Sequence, residues 1–136
     1  MLGLIGDRRP IDVLRETPGA AARAVATLTP EKLRTPESDG KWSVAQVLRH
    51  LADTDIVWGW RMRLILAQDR PAITGFDQDL WAERLDYANA DPNESLETFA
   101  VLRGDESAGY LVRLYAGHDL MHLTQIDRIK TTFESF

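Results

Sequence analysis

The chain has 136 residues, of which 44% are hydrophobic and 27% are charged, a balance typical of a globular domain. We therefore predict a single domain over residues 1–136. The net charge of −5 argues against nucleic acid or an anionic membrane surface as a partner, because both attract basic proteins. The sequence contains no cysteine, which excludes disulfides, thiolate zinc sites and cysteine nucleophiles within it.

Two further absences bear on location. No apolar stretch approaches the roughly 18 residues that a membrane-spanning helix needs. The first ten residues, MLGLIGDRRP, lack the basic-then-apolar order of a signal peptide. We therefore expect a cytoplasmic protein that has no membrane partner.

The chain opens with a region in which apolar residues recur at helical spacing, and residues 10–28 are predicted to form the first long helix. Thr17 and Pro18 lie inside it. A proline removes one backbone donor, so we expect a kink there, or a restart with Thr17 as the cap and Pro18 at the first position. Thr29-Pro30-Glu31 then looks like the start of a short helix.

The second long helix has the clearest start in the sequence. Ser43 and Gln46 match a capping box, in which each side chain accepts a hydrogen bond from the other residue's backbone. Apolar residues then recur at helical spacing until Pro71, which ends the helix after about 25 residues. One face of this helix is therefore predicted to be buried.

Residues 71–91 form a long connection that includes a possible short helix, DQDLWAERL. A connection of this length can cross from one end of a bundle to the other, so the second and third long helices can run parallel. Asp91 is predicted to cap the third helix, with Pro92 at its first position.

The third and fourth long helices differ in predicted length. The third stops at Gly104 after about 12 residues, whereas the fourth runs from about residue 107 to 133. Because neighbouring bundle helices usually match in length, we expect residues to be missing, by deletion or disorder, around Arg103 and Gly104. The predicted fold is all-α: a four-helix bundle, up-down-down-up, with a long crossover between helices two and three.

Two of the three histidines fall within the apolar stripe of the fourth helix. His118 and His122 are one turn apart, and Gln125 follows on the same face. A buried polar group without a partner costs about 1–3 kcal/mol. One explanation is a metal ion shared with His50, which lies at the edge of the apolar face of helix two. The other is that these are core histidines bonded to carbonyls or carboxylates, and the spacing alone leaves both open.

The sequence resembles the DinB-like (YfiT-like) superfamily of metalloenzymes. The resemblance runs from about residue 10 to 130 and is carried by three stretches: KWSVAQVLRHLADTD, FDQDLWAERLDYANADP and GHDLMH. It implies a four-helix bundle, often a homodimer, with a zinc or nickel ion held by one histidine of helix two and two of helix four. Those ligands correspond to His50, His118 and His122.

The resemblance also implies a small-molecule substrate. It suggests a metal-dependent hydrolase or a low-molecular-weight-thiol S-transferase, and we leave both open. Three imidazoles leave a tetrahedral ion one open position, which is typical of a catalytic site. The alternative is a non-catalytic metal-binding helical protein, in which a fourth protein ligand would close the site.

Four acidic or polar residues near the histidines are weaker candidates. Asp53, three residues after His50, could contact its ring or act as a base, but a solvated helix face is the favoured interpretation for it and for Asp55. If Asp53 belongs to the site, we expect its carboxylate to contact a metal-binding histidine rather than to bind the ion itself. Tyr115 and Gln125 could support the histidine pair from outside, although plain packing explains them equally well. A zincin-type protease is disfavoured, because Asp119 is a shorter base than the usual glutamate and no third ligand follows.

Overall fold

The computed structural model describes residues 2–101 and 109–134, with side chains described for residues 3–100 and 116–133. Every regular element in this part of the chain is helical. The long helices are α1 (Pro10–Val25), α3 (Val44–Ala67), α5 (Pro92–Val101) and α6 (Gly109–Glu134). The short ones are α2 (Pro30–Arg34), α4 (Gln78–Arg84) and 3-10 turns at Leu2–Leu4 and Tyr87–Asn89. None of the described helices is long and apolar enough to cross a membrane.

The first long helix is continuous through Pro18, so the predicted restart at that residue is wrong. Thr17 does not cap a new helix, because its hydroxyl donates to the Val13 carbonyl one turn earlier at 2.6 Å. Val13 and Ala21, on either side of the proline, are both fully buried. The packing of these buried residues against the rest of the bundle outweighs the local cost of a proline in a helix.

The predicted starts of α3 and α5 are both confirmed. The Ser43 amide donates to the Gln46 side chain at 2.9 Å, and the Gln46 amide donates to the Ser43 hydroxyl at 3.4 Å. The Asp91 carboxylate accepts from the Asn93 amide at 2.8 Å at the start of α5. The crossover itself contains α4, which Asp77 caps. Local capping chemistry therefore determines where α3, α4 and α5 begin.

The directions of α3 and α5 follow from which of their ends meet. Trp42, just before α3, packs edge-on against Tyr87, just before α5, with ring centroids 6.2 Å apart. The Arg34 side chain, which also precedes α3, reaches the Ala90 carbonyl. Since both helices start at the same end and pack along each other, they run parallel.

Two apolar clusters give the direction of the other pair. Val25 and Ile129, late in α1 and α6, pack in the first cluster with Val44 from the start of α3. The early parts of α1 and α6 pack in the second cluster with Met62 from the far part of α3. α1 and α6 therefore run opposite to α3, and the predicted up-down-down-up bundle is confirmed. The first cluster comprises Ala21, Val25, Val44, Val47, Leu48, Leu51, Ala52, Phe99, Ile126 and Ile129; the second comprises Ile5, Val13, Leu14, Met62 and Ala116.

Within the described residues α5 has 10 residues, against 24 in α3 and 26 in α6. Residue 104, where the third helix is predicted to stop, lies outside the described residues, and the mismatch in helix length stays a prediction. The expected gap between Arg103 and Gly104 lies outside the described residues.

Candidate metal centre

Three histidines from two helices meet at the boundary between the apolar clusters. His50 on α3 is 2% exposed and His122 on α6 is 6% exposed, while His118 is partly buried. The Nε2 atom of His118 lies 3.2 Å from Nε2 of His50 and 3.1 Å from Nε2 of His122. The candidate ligand atoms of all three lie within 4.8 Å of one another. The structure therefore brings together the three residues that the sequence singled out.

The nitrogens at this meeting point present more lone pairs than protons. Nδ1 of His122 lies 2.7 Å from the Gln125 amide oxygen, which only accepts, so Nδ1 carries the proton and Nε2 presents a lone pair. Nε2 of His118 has two nitrogen neighbours but can donate at most one proton. A cation at this point would satisfy all three rings.

The spacing also suits a metal ion. In a tetrahedral site with nitrogens about 2.0–2.1 Å from zinc, two ligand nitrogens lie about 3.3–3.4 Å apart. The observed separations of 3.2 and 3.1 Å are close to that value. Imidazole nitrogen is a ligand that zinc and nickel both accept. The residues present therefore fit a divalent transition-metal ion.

Burial keeps two of these imidazoles, His50 and His122, neutral, as ligands must be. Burial, with smaller contributions from the neighbouring rings of His122 and His118, lowers the pKa of His50 to about 3. Burial is also the main reason that the pKa of His122 falls to about 4; His118 adds to the effect, while Gln125 and Asp119 oppose it. Both rings are therefore neutral at neutral pH, so a metal ion does not have to displace the second proton of an imidazolium.

The meeting point has no carboxylate ligand among the residues that the structure describes. The hydroxyl of Thr54, a buried residue, lies 3.4 Å from Nε2 of His50. A neutral hydroxyl does not close a metal site as a carboxylate would. The donor set is thus three neutral nitrogens with a hydroxyl beside them.

Asp53 and Asp55 are buried, at 5% and 4% exposure, so the favoured interpretation of a solvated helix face is wrong for both. The Asp53 carboxylate pairs with Arg49, with 3.2 Å between Oδ1 and Nε. It also adds to the effect of burial in raising the pKa of the Tyr87 phenol, so the two side chains are neighbours. This local ion pair lowers the cost of burying a carboxylate. A contact between Asp53 and His50 remains a prediction.

Gln125 is the supporting residue whose contact the structure describes, through its 2.7 Å bond to His122. The side chain of Tyr115 lies outside the described residues. Asp119 is fully buried, with Oδ1 3.6 Å from Nδ1 of His118, on the side of that ring away from the other histidines. This position suits support of the ring rather than the proton-transfer role of a zincin glutamate.

Sequence reasoning missed Thr54 and Trp42 as neighbours of the site. Thr54 follows His50 by four residues, and this spacing on one helix face was a signal that could have found it. The Trp42 ring lies 5.0 Å from that of His50, centroid to centroid. No spacing rule indicates this contact, because Trp42 precedes the helix.

Comparison with known proteins agrees with this geometry. The family model of the DinB superfamily matches residues 14–126. The chain belongs to the DinB superfamily. The matched region spans α3, the crossover, α5 and all three histidines.

Individual relatives point the same way. The chain is 40% identical over 94 residues to "Putative metal-dependent hydrolase YfiT" of Bacillus subtilis, covering 69% of the chain and 53% of the relative. It is 45% identical over 76 residues to a protein of Geobacillus thermodenitrificans with the same hydrolase description, covering 56% and 43%. The chain thus spans about half the length of the curated relatives it matches.

A solved structure shows the same fold. It superposes with a TM-score of 0.72 at 29% identity and covers 88% of this chain and 84% of the other. Its description reads "YfiT from Bacillus subtilis is a probable metal-dependent hydrolase with an unusual four-helix bundle topology". The unusual topology is consistent with the parallel α3 and α5 of this chain.

Proposed function

We propose that the protein is a metal-dependent hydrolase of a small-molecule substrate, with a zinc or nickel ion held by His50, His118 and His122. The observation that carries the proposal is the convergence of three Nε2 atoms, 3.1 and 3.2 Å apart, on one buried point. The hydrolase names of the relatives support the reaction class.

Each neighbouring side chain has a separable task in this proposal. The rings bind through Nε2, and burial keeps His50 and His122 unprotonated. Gln125 holds His122 in the tautomer that presents Nε2, since its amide oxygen accepts the proton of Nδ1. A divalent ion in such a site acts as a Lewis acid and makes water a better nucleophile at neutral pH.

The hydroxyl of Thr54 would act on the substrate side of the site. It lies 3.4 Å from Nε2 of His50, so it can hydrogen-bond to a group bound beside that nitrogen. A hydroxyl can either donate or accept, which suits both a substrate oxygen and a water molecule. With no carboxylate in the described donor set, we propose that the fourth position stays open to one of them.

A low-molecular-weight-thiol S-transferase is the alternative that the family resemblance implies. Such an enzyme would take its sulfur from the substrate, which is compatible with the lack of cysteine in the chain. A homodimeric assembly and a cytoplasmic location likewise remain predictions from the sequence.

The test starts with protein purified without an affinity tag and analysed for bound metals. We expect about one zinc or nickel ion per chain, and none in the His118→Ala variant. Met121→Ala is the matched control, because Met121 lies on α6 beside His122 but is 38% exposed. Both variants should keep the helical circular dichroism of the wild type. A wild-type protein that binds neither ion would overturn the proposal.

Activity is then screened on esters, amides and phosphoesters, and on electrophiles with an added thiol. Hydrolysis that a chelator abolishes and the metal restores would support the hydrolase. Turnover that requires the thiol would establish the S-transferase instead. A metal-loaded protein whose every activity survives chelation would show that the ion is not catalytic.

A further inference from the structure

The outer nitrogens of the three histidines are supported unequally. Nδ1 of His122 donates to Gln125 at 2.7 Å, and Nδ1 of His118 faces the Asp119 carboxylate at 3.6 Å. Nδ1 of His50 is buried and has no hydrogen-bond partner among the described residues. Imidazoles that bind metals almost always donate their other N–H to an acceptor. Nδ1 of His118 also makes no hydrogen bond among the described residues, but the Asp119 carboxylate lies beside it, whereas no polar side chain is described beside Nδ1 of His50.

An aromatic ring lies beside His50. The Trp42 indole is 5.0 Å from the imidazole between centroids, and the two planes are tilted by 59°. A tilted pair at this distance brings an edge of one ring toward the face of the other. The face of an aromatic ring is a weak acceptor for N–H groups.

We infer that Trp42 is the outer support of His50: its indole face accepts the Nδ1–H when Nε2 holds a metal ion. This inference rests on the proposed metal site. Coordination draws electron density from the imidazole and makes its N–H more positive, so the attraction to the electron-rich indole face increases when the ion binds. The acceptor adds no negative charge behind the ion, in contrast to a carboxylate.

Two contacts hold the indole in the required place. Trp42 directly precedes Ser43, whose capping box orders the backbone at the start of α3. On its other side, the fully buried Tyr87 packs edge-on against the indole at 6.2 Å and 69°. Asp53, which pairs with Arg49 at 3.2 Å, is a neighbour of the Tyr87 phenol. The crossover thus positions a metal ligand through one intervening ring.

The first test measures zinc affinity by competition with a chromophoric chelator. Trp42→Leu keeps an apolar side chain but removes the aromatic face. We expect it to weaken zinc binding by about 2–10-fold, because an aromatic face is a weaker acceptor than the carboxylates and carbonyls whose loss costs about 10–100-fold. Trp42→Phe should keep most of the affinity. Trp60→Leu is the matched control, because Trp60 is on α3 and 62% exposed, and it should bind zinc as the wild type does.

The second test needs no variant. In the zinc-loaded wild type, the Nδ1 proton of His50 should resonate upfield of those of His118 and His122, because a proton over an aromatic face is shielded. An unshielded His50 proton, or a folded Trp42→Leu variant with wild-type zinc affinity, would overturn the inference while leaving the metal centre intact. Failure of the wild type to bind zinc or nickel would instead overturn the proposed function.

Discussion

The first apolar cluster and the histidine centre are neighbouring regions of the same two helices, but they are built differently. In the cluster, Leu51 of α3 packs with Ile126 and Ile129 of α6, and all three are fully buried. In the centre, His50 directly precedes Leu51 on α3 and His122 lies one turn before Ile126 on α6, and both are almost as deeply buried. Burial of the apolar side chains stabilises the fold directly, whereas burial of imidazoles stabilises it only if partners compensate for lost water.

This difference means that the first apolar cluster stabilises the bundle, whereas the histidine centre without a ligand makes it less stable than an apolar core would. The cluster has no polar side chain to satisfy. The centre leaves Nδ1 of His50 without a hydrogen-bond partner in the described structure and sets three ring nitrogens against one another. A region of this kind is typical of a binding site, in which the missing favourable interactions are supplied by the ligand.

Truncation within the first apolar cluster should have the largest effect on stability. Ile129→Ala removes fully buried carbon atoms, and we expect it to lower the free energy of unfolding by about 2–5 kcal/mol. Ile129→Val should lower it by only about 0.5–1.5 kcal/mol. Urea unfolding of the metal-free protein measures both. Zinc affinity of the folded alanine variant should be unchanged; a large loss would mean that the two regions are not separable.

A substitution in the histidine centre should act in the opposite direction. His50→Leu removes a buried unpaired donor at similar volume, so we expect the free energy of unfolding of the metal-free protein to rise by about 1–3 kcal/mol. Zinc should then stabilise the wild type in thermal unfolding but not the variant. A metal-free variant less stable than the wild type would indicate that His50 serves the core rather than an ion.

Most of the fold could be predicted from the sequence, because its helix boundaries depend on local chemistry. Ser43 with Gln46, and Asp91 with Pro92, mark the starts of α3 and α5 through bonds within four residues. The continuity of α1 through Pro18 could not be predicted in this way. It depends on burial of Val13 and Ala21 against the rest of the bundle.

The three candidate ligands could be predicted from the sequence, but part of their surroundings could not. Helical spacing placed His118 and His122 together and made His50 a candidate third ligand, and the family resemblance favoured that set over core histidines. The surroundings of Asp53 were not predictable, since a carboxylate on a helix is ordinarily solvated. One of its neighbours, Tyr87, comes from the crossover, 34 residues further along the chain. Contacts between residues so far apart in the chain cannot be predicted without the tertiary structure.

The smallest predicted effect is the contribution of His50 to the pH dependence of the free energy of unfolding. In the unfolded chain His50 takes up a proton near its ordinary pKa of 6.5, whereas burial delays protonation in the folded chain to about pH 3. Between these values the unfolded state binds more protons, so the free energy of unfolding decreases as the pH falls. From pH 6.5 to 5.5 this one histidine should cost about 1 kcal/mol.

His50→Leu cannot take up that proton and therefore isolates the contribution. Urea unfolding of the metal-free wild type and variant, at pH 6.5 and at pH 5.5, gives the change in stability of each. The variant should lose about 1 kcal/mol less than the wild type over this interval. Ile129→Val, whose change lies in the apolar cluster, should lose as much as the wild type. Equal losses in all three proteins would mean that His50 is protonated as readily in the fold as in water, contrary to a centre of neutral imidazoles.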